Sequence, residues 1–378
     1  MSTGDLLYSD TEDALRDSVR HLFADRCPPE TVARAYDEAP HDFSALWRTL
    51  AADLGVAALL VPESLGGAGA GAREAAVVME EIGRAVAPVP FLSSAVLATV
   101  ALLRAGDTET VSELAQGSAT AALVVPLSTA PADPIGGVGI GDDGLHGSVS
   151  SVAGAAEADV LVVPVEGPDG LELHTVSAAA AGVEVSPLLA LDMTRPLANV
   201  RFSAAASSRV GSRVGSPVGP ADGAVTEALR TGAALLASEQ LGVAQWCFDT
   251  TLAYTKQRKQ FGRAIGSYQA IKHRLADLWF EVGSATAVAR YAADTSARVD
   301  TDASDEDAGI AAAIAQAYCS GVAVHAAEEC VQLHGGIGMT WEYPAHLYLK
   351  RAKSDQLAFG SAYRHRARLA ELVDLPPS

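Results

Sequence analysis

The sequence predicts an α+β chain. It divides into an N-terminal α-helical domain (1–117), a middle antiparallel β domain (118–206), a Ser/Gly/Pro linker (207–223) and a C-terminal four-helix-bundle-like domain (224–378). Three observations carry this division. Apolar residues recur at helical spacing before Ser118. From Ser118 that period gives way to short runs rich in β-branched residues, broken by Gly, Pro and Asp. After the stretch SSRVGSRVGSPVGPADG the helical period returns and holds to the end.

Each element has a local reason. Ser9 and Glu12 stand at capping-box spacing ahead of Leu15, Val19, Leu22 and Phe23, which starts a helix that Pro28 and Pro29 end. Phe43 to Leu54 reads as a second amphipathic helix closed by Gly55. A Gly-rich turn, Gly66 to Gly71, precedes a helix over Ala72 to Arg84; its spacing is not GxGxxG, so it reads as loop geometry and not as a dinucleotide cradle. Phe91 to Leu103 is a further helix. AALVVPL, LVVPV, LELHTV and ANVRF read as strands, and GGVGIGDDG (Gly136 to Gly144) as hairpin turns. Long helices follow over Ala224 to Tyr254, Ser267 to Val299 and Asp305 to Leu333, with a shorter one within Leu357 to Val373.

Composition narrows the function. The 378 residues are 49% hydrophobic, enough for a sizeable core, and carry 46 acidic against 27 basic side chains, a net charge of −19. Such a surplus of carboxylates repels phosphate backbones, so nucleic acid and anionic membrane are poor partners. There is no charged-then-apolar leader, and no run reads as long enough to span a bilayer. Cys27, Cys247, Cys319 and Cys330 lie far apart without metal-type spacing and read as reduced, buried thiols of a cytoplasmic protein that holds no metal.

Against this acidic background the stretch Tyr254 to Asp277, YTKQRKQFGRAIGSYQAIKHRLAD, stands out. Lys256, Arg258, Lys259 and Arg263 form a basic turn between two helices. Guanidinium forks beside the free N–H groups of a helix start suit a phosphate or pyrophosphate; the other reading is a solvated basic turn.

With ASEQLGVAQWCFDTTLAYTKQRKQFGRAIGSYQAIKHRLAD, the segments VQLHGGIGMTWEYPAHLYLKRAK and LVPESLGGAGAGAREAAVVMEEIGR make the chain resemble the acyl-CoA dehydrogenase family nearly end to end. The resemblance implies that fold, an FAD cofactor, a tetramer, an acyl-CoA thioester substrate and electron transfer to an electron-transfer flavoprotein. In that family a carboxylate removes the α proton and FAD takes the β hydride. The resemblance further implies that Arg258 pairs with the FAD pyrophosphate of a neighbouring subunit. Gln260, Phe261, Ile265 and Tyr268 would line its ribose and adenine, and Gln332, Gly335 and Gly336 would approach it closely.

The chain departs from the family elsewhere. The T-E-x-x-x-G-S stretch corresponds only loosely to Val124 to Pro134, and Ser151, Val152 and Ala153 fall where an aromatic or Ile should precede a Thr or Ser at the flavin. The register that matches Gly360 and Ser361 puts Phe359 at the catalytic Glu; its backbone N–H would still be free to polarise a thioester carbonyl. The family's alternative base position falls near Gly232 and Ala233. Two carboxylates remain as candidates: Asp355, otherwise a surface acid paired with Lys353 or Arg351, and Glu239, otherwise a structural ion pair inside an apolar helix. His334 reads as a helix-end residue near the dinucleotide, and His365 as surface.

Preserved trans contacts beside a missing base imply a partner subunit that completes the FAD site of a catalytic homologue in a heteromer. The alternatives are a self-sufficient homotetrameric enzyme with a non-standard base, Asp355, Glu239 or another carboxylate, and a non-enzymatic acyl-thioester-binding or scaffold protein.

Overall fold

The computed structural model describes residues 6–167, 170–211, 221–299, 301 and 303–375. Its first layer is helical. α1 (Asp10–Arg26) starts at the Ser9–Glu12 capping box and is followed by the short α2 (Pro29–Val32) and α3 (Ser44–Arg48). The last turn before Gly55 widens over Thr49–Asp53, and Gly55 leaves it at φ +68°. α4 (Ala72–Ala85) is followed by a wide-turned helical stretch, Phe91–Ala98, that continues as α5 (Thr99–Ala105), and α6 (Thr108–Ala115) ends the layer.

The middle layer is one twisted sheet with strand order β6-β7-β3-β2-β4-β5-β8, and β1 also on β4. The strands are β1 (Ala121–Leu123), β2 (Val138–Gly141), β3 (Gly144–Ala153), β4 (Val160–Gly167), β5 (Gly170–Ser177), β6 (Val183–Pro187), β7 (Leu197–Ala205) and β8 (Ser208–Arg209). Gly141 pairs with Gly144 across the β2–β3 hairpin, as its glycines require. Two pairings differ from the antiparallel expectation: β1 and β2 both run parallel to β4. Ser208 and Arg209, expected in the linker, pair with β5. Residues 212–220 of that linker lie outside the described residues.

The C-terminal layer packs α7 (Ala221–Gln257), α8 (Gln269–Ala297) and α9 (Asp305–His334) with α10 (Ala345–Leu357) and α11 (Ala362–Leu372). A small hairpin, β9 (Lys259–Gln260) with β10 (Arg263–Ala264), joins α7 to α8. α10 was not read from the sequence, where its residues stood out as a motif and not as a period. α4 crosses α7 in backbone contact: a Cβ at Gly83 would lie 2.0 Å from the Glu239 carbonyl oxygen, and one at Gly242 1.9 Å from that of Glu80. Only glycine fits at either crossing point.

One expectation fails on composition alone. The stretch Asp305–Met339 is long and apolar enough to cross a bilayer, with hydropathy 1.4 over its most apolar window. In the fold 72% of that window is buried, so α9 is the central helix of the bundle.

Candidate functional site

Two arms converge at one end of the bundle. The first is the turn that leaves α7. The Arg258 N–H donates to Tyr254 O (2.8 Å) and the Ile265 N–H to Arg258 O (2.8 Å), which closes the loop around the β9–β10 hairpin. Phe261 (φ +52°) and Gly262 (φ +81°) make its tip, and the Phe261 ring is 92% exposed. The Arg263 guanidinium lies 3.9 Å over the Tyr268 ring, whose hydroxyl donates to Gln260 O. Arg258, Gln260 and Phe261 stand in solvent, while Ile265 and Tyr268 are half-buried.

The second arm is the end of α9. Gly335 takes φ +64° and ψ −139°, a conformation that favours glycine, and a Cβ at Gly335 or Gly336 would meet nothing within 4 Å. Open space over an exposed backbone is what a ligand needs for close approach. Gln332, Gly335 and Gly336 are all exposed. The arms meet where Tyr254 Oη donates to His334 O (3.4 Å) and the two rings lie 4.2 Å apart. The structure therefore gathers the predicted Arg258, Gln260, Phe261, Ile265 and Tyr268 on one arm, and Gln332, Gly335 and Gly336 on the other.

The position that the sequence register assigns to the base is closed. Phe359 is 1% exposed at φ +55°, just past α10. Its N–H, expected to be free for a thioester carbonyl, instead donates to Leu127 O (2.8 Å). Its carbonyl accepts from His365 Nε2 (2.9 Å), and Ala358 O accepts from Gln316 Nε2 (3.0 Å). His365 is thus a buried wall residue and not a surface one, and burial depresses its basicity. A Cβ at Gly232 would lie 2.9 Å from Phe359 Cζ and 2.6 Å from Leu97 Cδ2. The aromatic ring fills the space that a side chain at the alternative base position would need.

On the β side the chain is closed near Leu127, while Ala130 to Asp133 line a cavity of about 860 Å³ with Arg230, Ala313 and His365. The Leu127 N–H donates to Ser151 O (3.0 Å), Pro126 bridges Val152, and Val152 and Ala153 are buried beneath this loop. Neither Val124 to Pro134 nor 151–153 offers an aromatic face.

Asp355 and Glu239 are wholly buried and committed to guanidinium groups. Asp355 is thus not a surface acid, and neither expected partner holds it: its Oδ1 accepts from Arg195 Nη1 (2.5 Å), while Lys353 pairs with Glu328 and Arg351 with Asp192 and Glu239. Glu239 accepts from Arg195 Nη2 (2.5 and 2.6 Å) and Arg351 Nη1 (2.5 Å). Arg351 also donates from Nε to Asp192 (2.7 Å) and from Nη2 to the Thr194 carbonyl and hydroxyl. Burial raises the Asp192 carboxyl, but the Arg351 and Arg195 guanidiniums and the hydrogen bonds from Thr194 together outweigh it and hold the group below the usual range. Asp192, Thr194 and Arg195 lie on the loop between β6 and β7, so the network ties the sheet to α7 and α10. These loop residues gave no signal in the sequence beyond being charged or polar between two strands. Neither carboxylate faces a space where a substrate could sit.

Three carboxylates face two guanidiniums here, and Asp355 Oδ2 has no partner. Burial, and then the charge of Glu239, push the Asp355 carboxyl up to about 7. The folded chain therefore keeps a proton between about pH 4 and 7 that the unfolded chain has released. From this group stability is greatest in acid and declines toward pH 7, by up to about 1.4 kcal/mol per pH unit. Asp355→Asn keeps the acceptor for Arg195 and replaces the ionisable oxygen. It is expected to remove that decline, read as denaturant midpoints at pH 5 and 7.5; an unchanged difference between the two midpoints would show that Asp355 is ionised throughout.

Comparisons with known proteins agree on one family. Residues 9–122 match the model of the acyl-CoA dehydrogenase N-terminal domain, and 223–373 that of the acyl-CoA dehydrogenase C-terminal domain. A curated relative, acyl-CoA dehydrogenase IpdE2 of Mycolicibacterium smegmatis, is 34% identical over 96% of this chain and 98% of its own length. Among solved structures, the ChsE4–ChsE5 complex from Mycobacterium tuberculosis has a TM-score of 0.84 at 27% identity, covering 99% of this chain and 100% of that one. A variant of the Tcur3481–Tcur3483 steroid ACAD has a TM-score of 0.82 at 28% identity, covering 97% of this chain and 98% of that one.

Proposed function

The chain belongs to the acyl-CoA dehydrogenase family, FAD-dependent oxidoreductases acting on acyl-CoA thioesters, and on that premise we propose that it is the base-less partner subunit of a heteromeric acyl-CoA dehydrogenase. One observation carries this reading. Phe359 occupies the base position with its N–H spent on Leu127 and its ring against Gly232, so neither family position offers a carboxylate. Losing a general base costs about 10²–10⁴-fold in rate.

The residues fit half of an FAD site and not the other half. The exposed arms suit the dinucleotide of a neighbouring subunit: Arg258 would pair with the pyrophosphate, and the open backbone at Gly335 and Gly336 lets it approach. At the chain's own flavin half, main-chain hydrogen bonds hold Leu127 to Ser151 and Phe359, and Ser151, Val152 and Ala153 supply no aromatic face for a flavin ring. FAD, when bound, supplies hydride acceptance from the acyl Cβ; this chain supplies charge and shape to hold it, while the base comes from the other subunit. Exposed Phe261 and Met339 on the arms, with exposed Trp279 and Phe280 on α8, support a covering partner, since large apolar side chains are rarely left bare in such number.

Two of the similar structures support the same reading. One is a complex of two differently named chains and the other a paired steroid ACAD. We extend this to a bulky, steroid-derived acyl-CoA substrate, with an electron-transfer flavoprotein as acceptor and a cytoplasmic location. The self-sufficient alternative needs a non-standard base, and its two named candidates, Asp355 and Glu239, are sealed among guanidiniums. The non-enzymatic scaffold predicts no flavin in any complex.

The test is the visible spectrum of the chain purified alone and after co-expression with a homologous acyl-CoA dehydrogenase encoded beside it. The expected result is a colourless lone protein and a yellow complex that an acyl-CoA bleaches. Stoichiometric flavin in the lone chain, with turnover, would overturn the proposal.

A further inference from the structure

The two arms belong to different helices, so something must set their separation. We infer that His334 is the positioning residue that does so, an inference that rests on reading the arms as a dinucleotide clamp. His334 is the last residue of α9 and is 3% exposed. Its ring is enclosed by two tyrosines, Tyr254 at 4.2 Å and Tyr343 at 4.4 Å between ring centres. Tyr343 Oη lies 2.6 Å from Nε2, and Cys330 O lies 2.6 Å from Nδ1. The backbone carbonyl can only accept, so Nδ1 carries the proton and Nε2 accepts from the Tyr343 hydroxyl.

This arrangement reaches every segment the clamp is built from. Tyr254 lies one turn before Arg258, and the Arg258 N–H donates to the Tyr254 carbonyl. Tyr254 Oη in turn holds the His334 carbonyl, immediately before Gly335. Tyr343 closes the far side, between the glycine turn and the start of α10 at Ala345. A displacement of the imidazole therefore moves the cationic arm and the glycine arm relative to each other. Neither nitrogen has a donor or acceptor to spare, so the ring has one orientation that satisfies both partners.

The experiment uses two readouts. In the flavin-loaded complex, Tyr343→Phe removes one hydroxyl and keeps the ring; it is expected to weaken FAD retention about three- to tenfold, with His334→Phe weaker still. His334→Gln, which restores one hydrogen bond, recovers part of that loss. In the lone chain, amide hydrogen exchange should quicken in both 256–264 and 335–339 for His334→Phe, whereas a purely local role would loosen 335–339 alone. Wild-type retention in Tyr343→Phe and His334→Phe, while Arg258→Ala loses flavin, overturns the inference. If Arg258→Ala also keeps its flavin, the clamp reading is what has failed. Exchange in the lone chain then decides: coupled quickening of both arms upholds the brace, and quickening confined to 335–339 overturns it.

Discussion

Arg351→Ala is expected to destabilise the chain by about 3–5 kcal/mol, the range for removing one member of a buried ion network. Arg351 is the largest of the fully buried side chains, and its guanidinium contacts Asp192, Thr194 and Glu239 at once. Its loss leaves Asp192 without its principal counter-charge and leaves Glu239 with Arg195 alone. The carboxylates would have to take up protons or draw in water, and both routes cost folding free energy. Because the network joins the β6–β7 loop to α7 and α10, separation of the sheet from the bundle should accompany the loss. Denaturant unfolding followed by both far-UV and tryptophan signals checks this. A loss below about 1 kcal/mol, typical of a surface pair, would show that the network is hydrated.

Arg258→Ala is expected to lower FAD affinity of the assembled complex by about 10–150-fold while leaving the thermal stability of the lone chain within error. A charge-assisted hydrogen bond contributes about 1.5–3 kcal/mol, and Arg258 is exposed, so its removal opens no cavity in the fold. Flavin should leave a site whose base lies on the other chain, so activity lost in this variant should return with added FAD. Gel filtration of the yellow complex with and without excess FAD reads the effect directly. Undiminished retention would mean that Arg258 is a solvated basic residue.

Much of the fold was legible locally. The Ser9–Glu12 cap, the Gly55 stop, the hairpin glycines and the long helical periods act over a few residues, and each appeared near its expected place. α10 was missed, and β1 and β2 run against expectation, because strand pairing is chosen by what lies beside a strand in space. At the site the sequence supplied the residues of both arms as contiguous motifs, and the absence of a carboxylate at Phe359 and at Gly232.

The sequence by itself determined the family pattern, the layer order and the lack of a carboxylate at Phe359 and Gly232, all readable in short words or single positions. Tertiary structure alone decided what surrounds Phe359. The bond from the Phe359 N–H to Leu127, and the packing of the Phe359 ring against Gly232, join segments far apart in the chain. Asp355 meets Arg195 across 160 residues, which turned two candidate bases into members of a sealed network. The reason is physical: a side chain's chemistry is fixed by its covalent structure, but its proton affinity and access depend on burial and neighbours that only long-range packing supplies.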